Sequence, residues 1–282
     1  MNELHERESI ISIALFDILG FSNMVRERPV HEILNLYNEL RQYLAEKIKG
    51  SGGIALAPAD GIWRSGANNL AYYMMPLDIE TAYFSDTFIL WADISDNKNN
   101  NKVDLIKQQV FLDAAQWFFC KALLGSIPLR GVVATGHAHM DKKHSIYFGE
   151  ALVEAAKGER AQHSIGISYT PSFYKYPPIL AQHSIPFKAH IKINNEGFLS
   201  KRVLNWVYYW ENSDEFANHD IIEMIDRINK DKKFSIYYDT ALKIVSFARK
   251  HKNWDRQVDI NGIGSTDELH DRVDMWLQNI EK

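Results

Sequence analysis

The chain contains a single cysteine, Cys120, among 282 residues. One thiol excludes an internal disulfide framework and a Cys-cluster zinc site, and it suits a reducing compartment. There is no excess of positive charge: 32 Lys and Arg stand against 36 Asp and Glu, for a net charge of −4. A global basic field able to hold nucleic acid is therefore missing. Long apolar runs are also missing. The uninterrupted apolar stretch at residues 10–16 is strand length, and no stretch approaches the roughly 18–20 residues of a membrane span. The start, MNELHERESI, is charged and unlike a signal peptide, so a cytoplasmic location is expected. Internal repeats and low-complexity tracts are absent.

What remains is an ordinary globular composition, 46% hydrophobic and 24% charged. It is long enough for one large domain or two small ones, with a substantial core. Residues 10–16, IISIALF, read as a strand buried on both faces that ends at Asp17. A helical stripe follows in Ile33, Leu36, Tyr37, Leu40, Leu44 and Ile48, interrupted near its start by Pro29 and closed by Gly50. Residues 50–80 read as an irregular insertion. TAYFSDTFILWAD reads as strand, tight turn and strand, with Ser85 and Asp86 at the turn. Residues 97–101 form a polar break, and residues 104–124 a long helix. IPLRGVVATGHAHM reads as a third strand with Gly131 and Gly136 as close-approach sites. A turn, a short extended stretch and a helix from about Glu150 come next, then a strand at IGISYT and a Pro- and Asn-rich stretch, 171–200. KRVLNWVYYW reads as strand-like, and the rest as helices at 213–230, 235–251 and 267–281. The order predicts an α+β fold: a ferredoxin-like βαββαβ core, a mainly antiparallel sheet with helices on one face, and a helical C-terminal extension. The expected division is a core over residues 1–200 and an extension over 201–282 packed on it.

Two segments carry candidate chemistry. In FDILGFS an apolar strand delivers Asp17 to its end, Gly20 permits a tight turn, and Ser22 can N-cap the next helix. A helix N-terminus offers free N–H groups to phosphate, and a carboxylate beside it suits a magnesium-nucleotide site. Equally, Asp17 could merely cap a helix. In FSDTF, Asp86 is acidic within an apolar hairpin; alone it reads as a turn aspartate or a functional one. Together the two strand-end carboxylates suggest a site for two divalent ions. Other readings have less behind them. A haloacid-dehalogenase-type phosphatase needs an aspartate where Leu19 stands, and no GxSxG elbow occurs. His137, His139, Asp141 and His144 form a solvated turn more readily than a zinc site. Residues 206–210 suit core packing or a dimer contact better than base stacking.

FDILGFS resembles the signature that opens the catalytic domain of class III nucleotidyl cyclases. FSDTFILWA is similar to that family's second metal-aspartate hairpin, IPLRGVVATGHA to its arginine-glycine strand, and YFGEALVEAAK to the segment after it. All four occur in the family's order, within residues 9–170. The resemblance implies that Asp17, Asp86 and the Ile18 carbonyl hold two Mg²⁺ or Mn²⁺ ions. It also implies that Leu19, Gly20, Phe21 and Ser22 face the triphosphate and that Arg130 contributes to nucleotide binding.

The departures point to a subgroup. Ala82 and Ile146 stand where purine cyclases carry a lysine and an aspartate or threonine. Val153 replaces an asparagine and Lys157 an arginine; Lys157, or Arg160 beyond it, is the candidate for transition-state charge. With the GEALVEA segment and the helical extension, the pattern resembles the bacterial Pycsar antiphage cyclases. That resemblance implies a UTP or CTP substrate, a cyclic nucleotide messenger, a head-to-tail homodimer and a separate effector protein. Thr81, Tyr83 and Arg130 are candidate base contacts. A purine cyclase of unusual specificity and a domain that binds nucleotide without turnover remain alternatives.

Overall fold

A computed structural model describes residues 9–51, 54–58, 70–74, 77–95, 101–174, 181–188, 191–192, 197–228, 232–258 and 266–280. Residues 1–8 of the charged start and 97–100 of the polar break lie outside them, and Asn101 opens a helix. In chain order the elements are β1 (Ile10–Ile18), α1 (Phe21–Glu27), α2 (Val30–Ser51), β2 (Ile54–Pro58), β3 (Leu70–Met74), β4 (Glu80–Phe84), β5 (Thr87–Asp93) and α3 (Asn101–Leu124). They continue as β6 (Leu129–Asp141), β7 (Ile146–Gly149), α4 (Glu150–Ala161), β8 (Gly166–Tyr169), α5 (Pro171–Tyr174), β9 (Ser184–Pro186) and β10 (Arg202–Leu204). The last helices are α6 (Trp206–Asn212), α7 (Ile221–Ile228), α8 (Ser235–Lys250) and α9 (Thr266–Ile280).

The main sheet runs β4-β5-β1-β6-β8-β10-β9, with β7 added to β6. β1 lies between β5 and β6 and is antiparallel to both; β6 and β8 are parallel. In β1-α2-β4-β5-α3-β6, the β5 strand lies between β1 and β4, and β1 lies between β5 and β6. These are the two interlocked split-βαβ units expected of a ferredoxin-like core.

Alternation along β1 explains the layers. Ala14, Phe16 and Ile18 join Phe88, Leu90, Phe111 and Phe118 in one buried cluster, roofed by α2 and α3. Ile11, Ile13 and Leu15 face the other way and meet Ile89, Trp91, Ala134 and the α4 residues Ala151 and Ala155. Helices therefore cover both faces of the sheet, not one. A strand apolar on both sides needs a cover on each.

Four local readings are corrected. Residues 50–80 contain an antiparallel pair, β2 with β3, in the register Ala57↔Ala71; the Gly- and Asn-rich part is residues 59–69, outside the described residues. The aromatic run is helix beyond Leu204. The Asn205 side chain caps it by accepting the Tyr208 N–H at 3.1 Å, and Trp206, Val207 and Trp210 form its buried face. Residues 213–220 are not helical, because Asp220 starts α7 by accepting the N–H groups of Ile222 and Glu223. Ser22 is not a cap: Gly20 stands at the N-cap of α1 with φ 77°. No helix of the described residues is long and apolar enough to cross a membrane.

Candidate active site

Strand register builds the site. Asp17 is the last outward residue on the α4 face of β1, paired with Thr87 of β5 on one side and Arg130 of β6 on the other. The Ile18 N–H donates to the Asp86 carbonyl at 2.9 Å, which ties the turn between β4 and β5 to the end of β1. Ser85 in that turn has φ 52°, and its carbonyl accepts the Tyr37 hydroxyl from α2. The Tyr37 ring rests on Phe88 with centroids 4.8 Å apart. The two carboxylates thus emerge from neighbouring strand ends with a helix bracing one of them.

Arg130 lies across from Asp17, its Nη2 2.8 Å from Asp17 Oδ2. The same guanidinium forms an ion pair with Glu159 in the last turn of α4 and lies over the Tyr237 ring of α8, Cζ to centroid 5.9 Å. Gly131, the next residue, permits this approach of strands: a Cβ there would fall 2.5 Å from Phe16 Cδ1.

Burial dominates the local acidities. It raises the pKa of Asp17, and the charge of Asp86 adds to the effect, while Arg130 opposes it. Burial pushes Glu159 up to about 7, again against Arg130. Lys192 is lowered by burial and by the like charge of Arg130. Tyr37 rises to about 12 through burial and the charge of Asp86.

The other residues proposed from sequence do not gather in one place. Ile18 is buried beside the carboxylates. Leu19 turns inward, 8% exposed, and its N–H donates to the Pro128 carbonyl at 2.9 Å. Gly20, Phe21 and Ser22 form the left-handed turn and first turn of α1, a helix of seven residues. Lys157 stands elsewhere, on a cleft of about 640 Å³ lined also by Glu150, Val153, Glu154 and Phe198. Arg160 is exposed and near Glu159, whose acidity it increases. In the histidine-rich segment, His144 pairs with Asp141 at 2.6 Å and His139 stacks on Phe148.

Sequence reading missed Glu159, Lys192, Tyr37 and Tyr237. Glu159 had a visible signal: it continues the buried stripe Ala151, Ala155, Gly158 of α4, and a carboxylate on such a stripe needs a cation. Lys192 comes from the Pro- and Asn-rich stretch, its N–H bonded to the Ala161 carbonyl at 2.8 Å. Nothing local marks it.

No protein-family model matches the chain, and no curated protein matches it in sequence. Solved structures do. The chain is similar to the adenylyl cyclase CyaB from P. aeruginosa, at 12% identity over 60% of this chain and 80% of that one, TM-score 0.39. It is similar to the guanylate cyclase domain of RhGC from Catenaria anguillulae in complex with GTP, at 12% identity over 70% and 96%, TM-score 0.40. A third likeness is to the catalytic core of a rhodopsin-guanylyl cyclase with converted specificity in complex with ATPalphaS, at 11% identity over 70% and 94%, TM-score 0.45. Identity this low transfers no residue roles.

The donor set fits Mg²⁺ or Mn²⁺. Asp17 and Asp86 offer hard carboxylate oxygens, the ligands these ions take. Among the described residues no group of three or more His, Cys, Asp or Glu side chains could hold a metal. A cation here would therefore draw further ligands from backbone, water or phosphate, as nucleotide-bound magnesium does. The charge of Asp86 opposes ionisation of Asp17. A divalent cation held by these carboxylates would offset that opposition.

Proposed function

We propose that this chain is a nucleotide cyclase that converts UTP or CTP to the 3′,5′-cyclic monophosphate and pyrophosphate. The observation that carries the reading is the junction of Asp17 and Asp86 at adjacent strand ends, tied by the Ile18 N–H on the Asp86 carbonyl. Asp17, Asp86 and the Ile18 carbonyl would hold Mg²⁺ or Mn²⁺, which supplies Lewis-acid activation of the ribose 3′-hydroxyl and charge neutralisation at the phosphates. Arg130 and Lys192 place two cations near Asp17, suited to orienting a triphosphate. The O3′–Pα bond forms as the bond from Pα to the bridging oxygen breaks. Pyrophosphate leaves with the electron pair, and the hydroxyl proton passes to water.

Pyrimidine choice is supported by what occupies the two positions of the purine-reading pair. Ala82 is buried in an apolar cluster and Ile146 is half-exposed. Neither can hydrogen-bond a purine edge, and an unmet polar edge is strongly disfavoured in a site. The resemblance to the Pycsar cyclases supports a cytoplasmic role in antiviral defence, with the cyclic product as messenger to a separate effector.

Lys157 lies on a cleft whose lining includes neither Asp17 nor Asp86. A head-to-tail homodimer would bring Lys157 or Arg160 of one copy to the carboxylates of the other. Exposed apolar side chains on β4, β7 and α4, namely Phe84, Phe148 and Val153, support such pairing. A second reading, binding without turnover, is favoured by the engagement of Asp17 with Arg130. Incubation with each of UTP, CTP, ATP and GTP in Mn²⁺ separates the readings. The proposal expects a cyclic pyrimidine product at least tenfold faster than a purine one, about 1.4 kcal/mol in barrier. A preferred purine overturns the pyrimidine choice, and no product from a confirmed dimer that binds nucleotide favours the second reading.

A further inference from the structure

Arg130 is a long side chain whose free rotamers must be frozen to present its guanidinium at one point. Three separate elements converge on it: Asp17 of β1, Glu159 of α4 and Tyr237 of α8. Tyr237 is itself fixed. It is 7% exposed, its carbonyl accepts the Ile165 N–H at 3.3 Å, and its ring meets His163 edge-on with centroids 5.1 Å apart. Phe234, just before α8, contacts the Tyr237 ring edge-on at 6.1 Å and lies 3.5 Å from where a Cβ on Gly20 would be. The start of α8 therefore reaches the Asp17 strand end, although it lies more than two hundred residues further along the chain.

Mere stability is a weak reason for this arrangement. A buried ion pair is matched or exceeded in stability by apolar packing of similar volume. Arg130 Nε is buried with no hydrogen-bond partner among the described residues, so the guanidinium is held in place without being saturated. That is an arrangement for aiming a cation.

We propose that Tyr237 and Glu159 are positioning residues. They set Arg130 for the phosphates of the nucleotide, and α8 is thereby an integral wall of the site. The inference rests on the nucleotide-site reading above and adds to it the residues that hold the arginine.

A double-mutant cycle tests it. Binding of 3′-deoxy-UTP with Mn²⁺, which needs no turnover, is measured for wild type, Tyr237→Leu, Arg130→Lys and the double variant, alongside melting temperature and UTP kinetics. If Tyr237 acts through Arg130, Tyr237→Leu weakens binding at least fivefold in the wild-type background and less than twofold in the Arg130→Lys background. Its effect on UTP turnover lies mainly in KM, not kcat. Equal weakening in both backgrounds overturns the inference. Should Tyr237→Leu fail to fold, Glu159→Gln takes its place in the same cycle with the same expectations. A coupled cycle in a protein that makes no cyclic product supports the positioning role and sinks only the cyclase reading. An additive cycle in an active cyclase does the reverse. Failure of the wild type to bind nucleotide overturns both.

Discussion

Asp17 and Arg130 are direct cross-strand partners on β1 and β6, and their side chains meet at 2.8 Å. The pairing is a consequence of register: a slip of one residue would send Asp17 into the opposite, apolar cluster. Everything else in the site is arranged around this pair. Asp86 approaches from the β5 side, Glu159 from α4 and Tyr237 from α8.

Glu159 gives the clearest pH dependence. Its carboxyl is pushed from the ordinary 4.5 up to about 7 by burial, against the pull of Arg130 and with the push of Asp17. The folded chain then binds this proton more tightly than the unfolded chain. The stability it contributes is complete below about 4.5 and is lost as pH rises through about 7. Urea midpoints at pH 5 and pH 8 should therefore fall further for wild type than for Glu159→Gln. Equal falls would contradict this account of the site.

Gly20 has φ 77°, a conformation costing other L-residues about 1–2 kcal/mol. An added Cβ meets only Phe234, at ordinary contact distance. The cost of substitution is thus in the backbone. Melting temperatures should rank Gly20→Asn above Gly20→Ala, and Gly20→Ala above Gly20→Val, since Asn tolerates the left-handed region best and β-branched residues least. A Val variant as stable as the Asn variant would refute the assignment.

Much of this was legible in the sequence, for physical reasons that differ by element. β1 is apolar on both faces and reads as a central strand without help. The Ser85-Asp86 turn is marked by its flanking strands, and α3 by its length. The aromatic run at 206–210 misled because Trp, Tyr and Val favour strands when taken singly, whereas the Asn205 cap and the spacing of Trp206 and Trp210 decide for helix. In the site, Asp17 announces itself as a charge at the end of an apolar strand and Asp86 as a charge in the turn of an apolar hairpin. Tyr237 does not, because a tyrosine on the buried face of a helix reads as core, and its partner Arg130 is more than a hundred residues away. Tertiary register alone brings them together.

Tyr37 braces the turn that carries Asp86. Tyr37→Phe keeps the ring on Phe88 and removes the hydroxyl that donates to the Ser85 carbonyl. The expected loss is about 1 kcal/mol in urea unfolding, with a higher Mn²⁺ concentration needed for half-maximal activity. Unchanged stability together with an unchanged Mn²⁺ requirement would show that Asp86 is positioned without it.

The central claim is that Asp17 and Asp86 act together on a nucleotide. The most direct measurement is cyclic nucleotide formed from UTP and from CTP, in Mn²⁺, by wild type, Asp17→Asn and Asp86→Asn, with circular dichroism on each protein. The account predicts product from the wild type and a loss of at least a hundredfold, about 2.7 kcal/mol in barrier, in each folded variant. Product at the wild-type rate from either folded variant would contradict it.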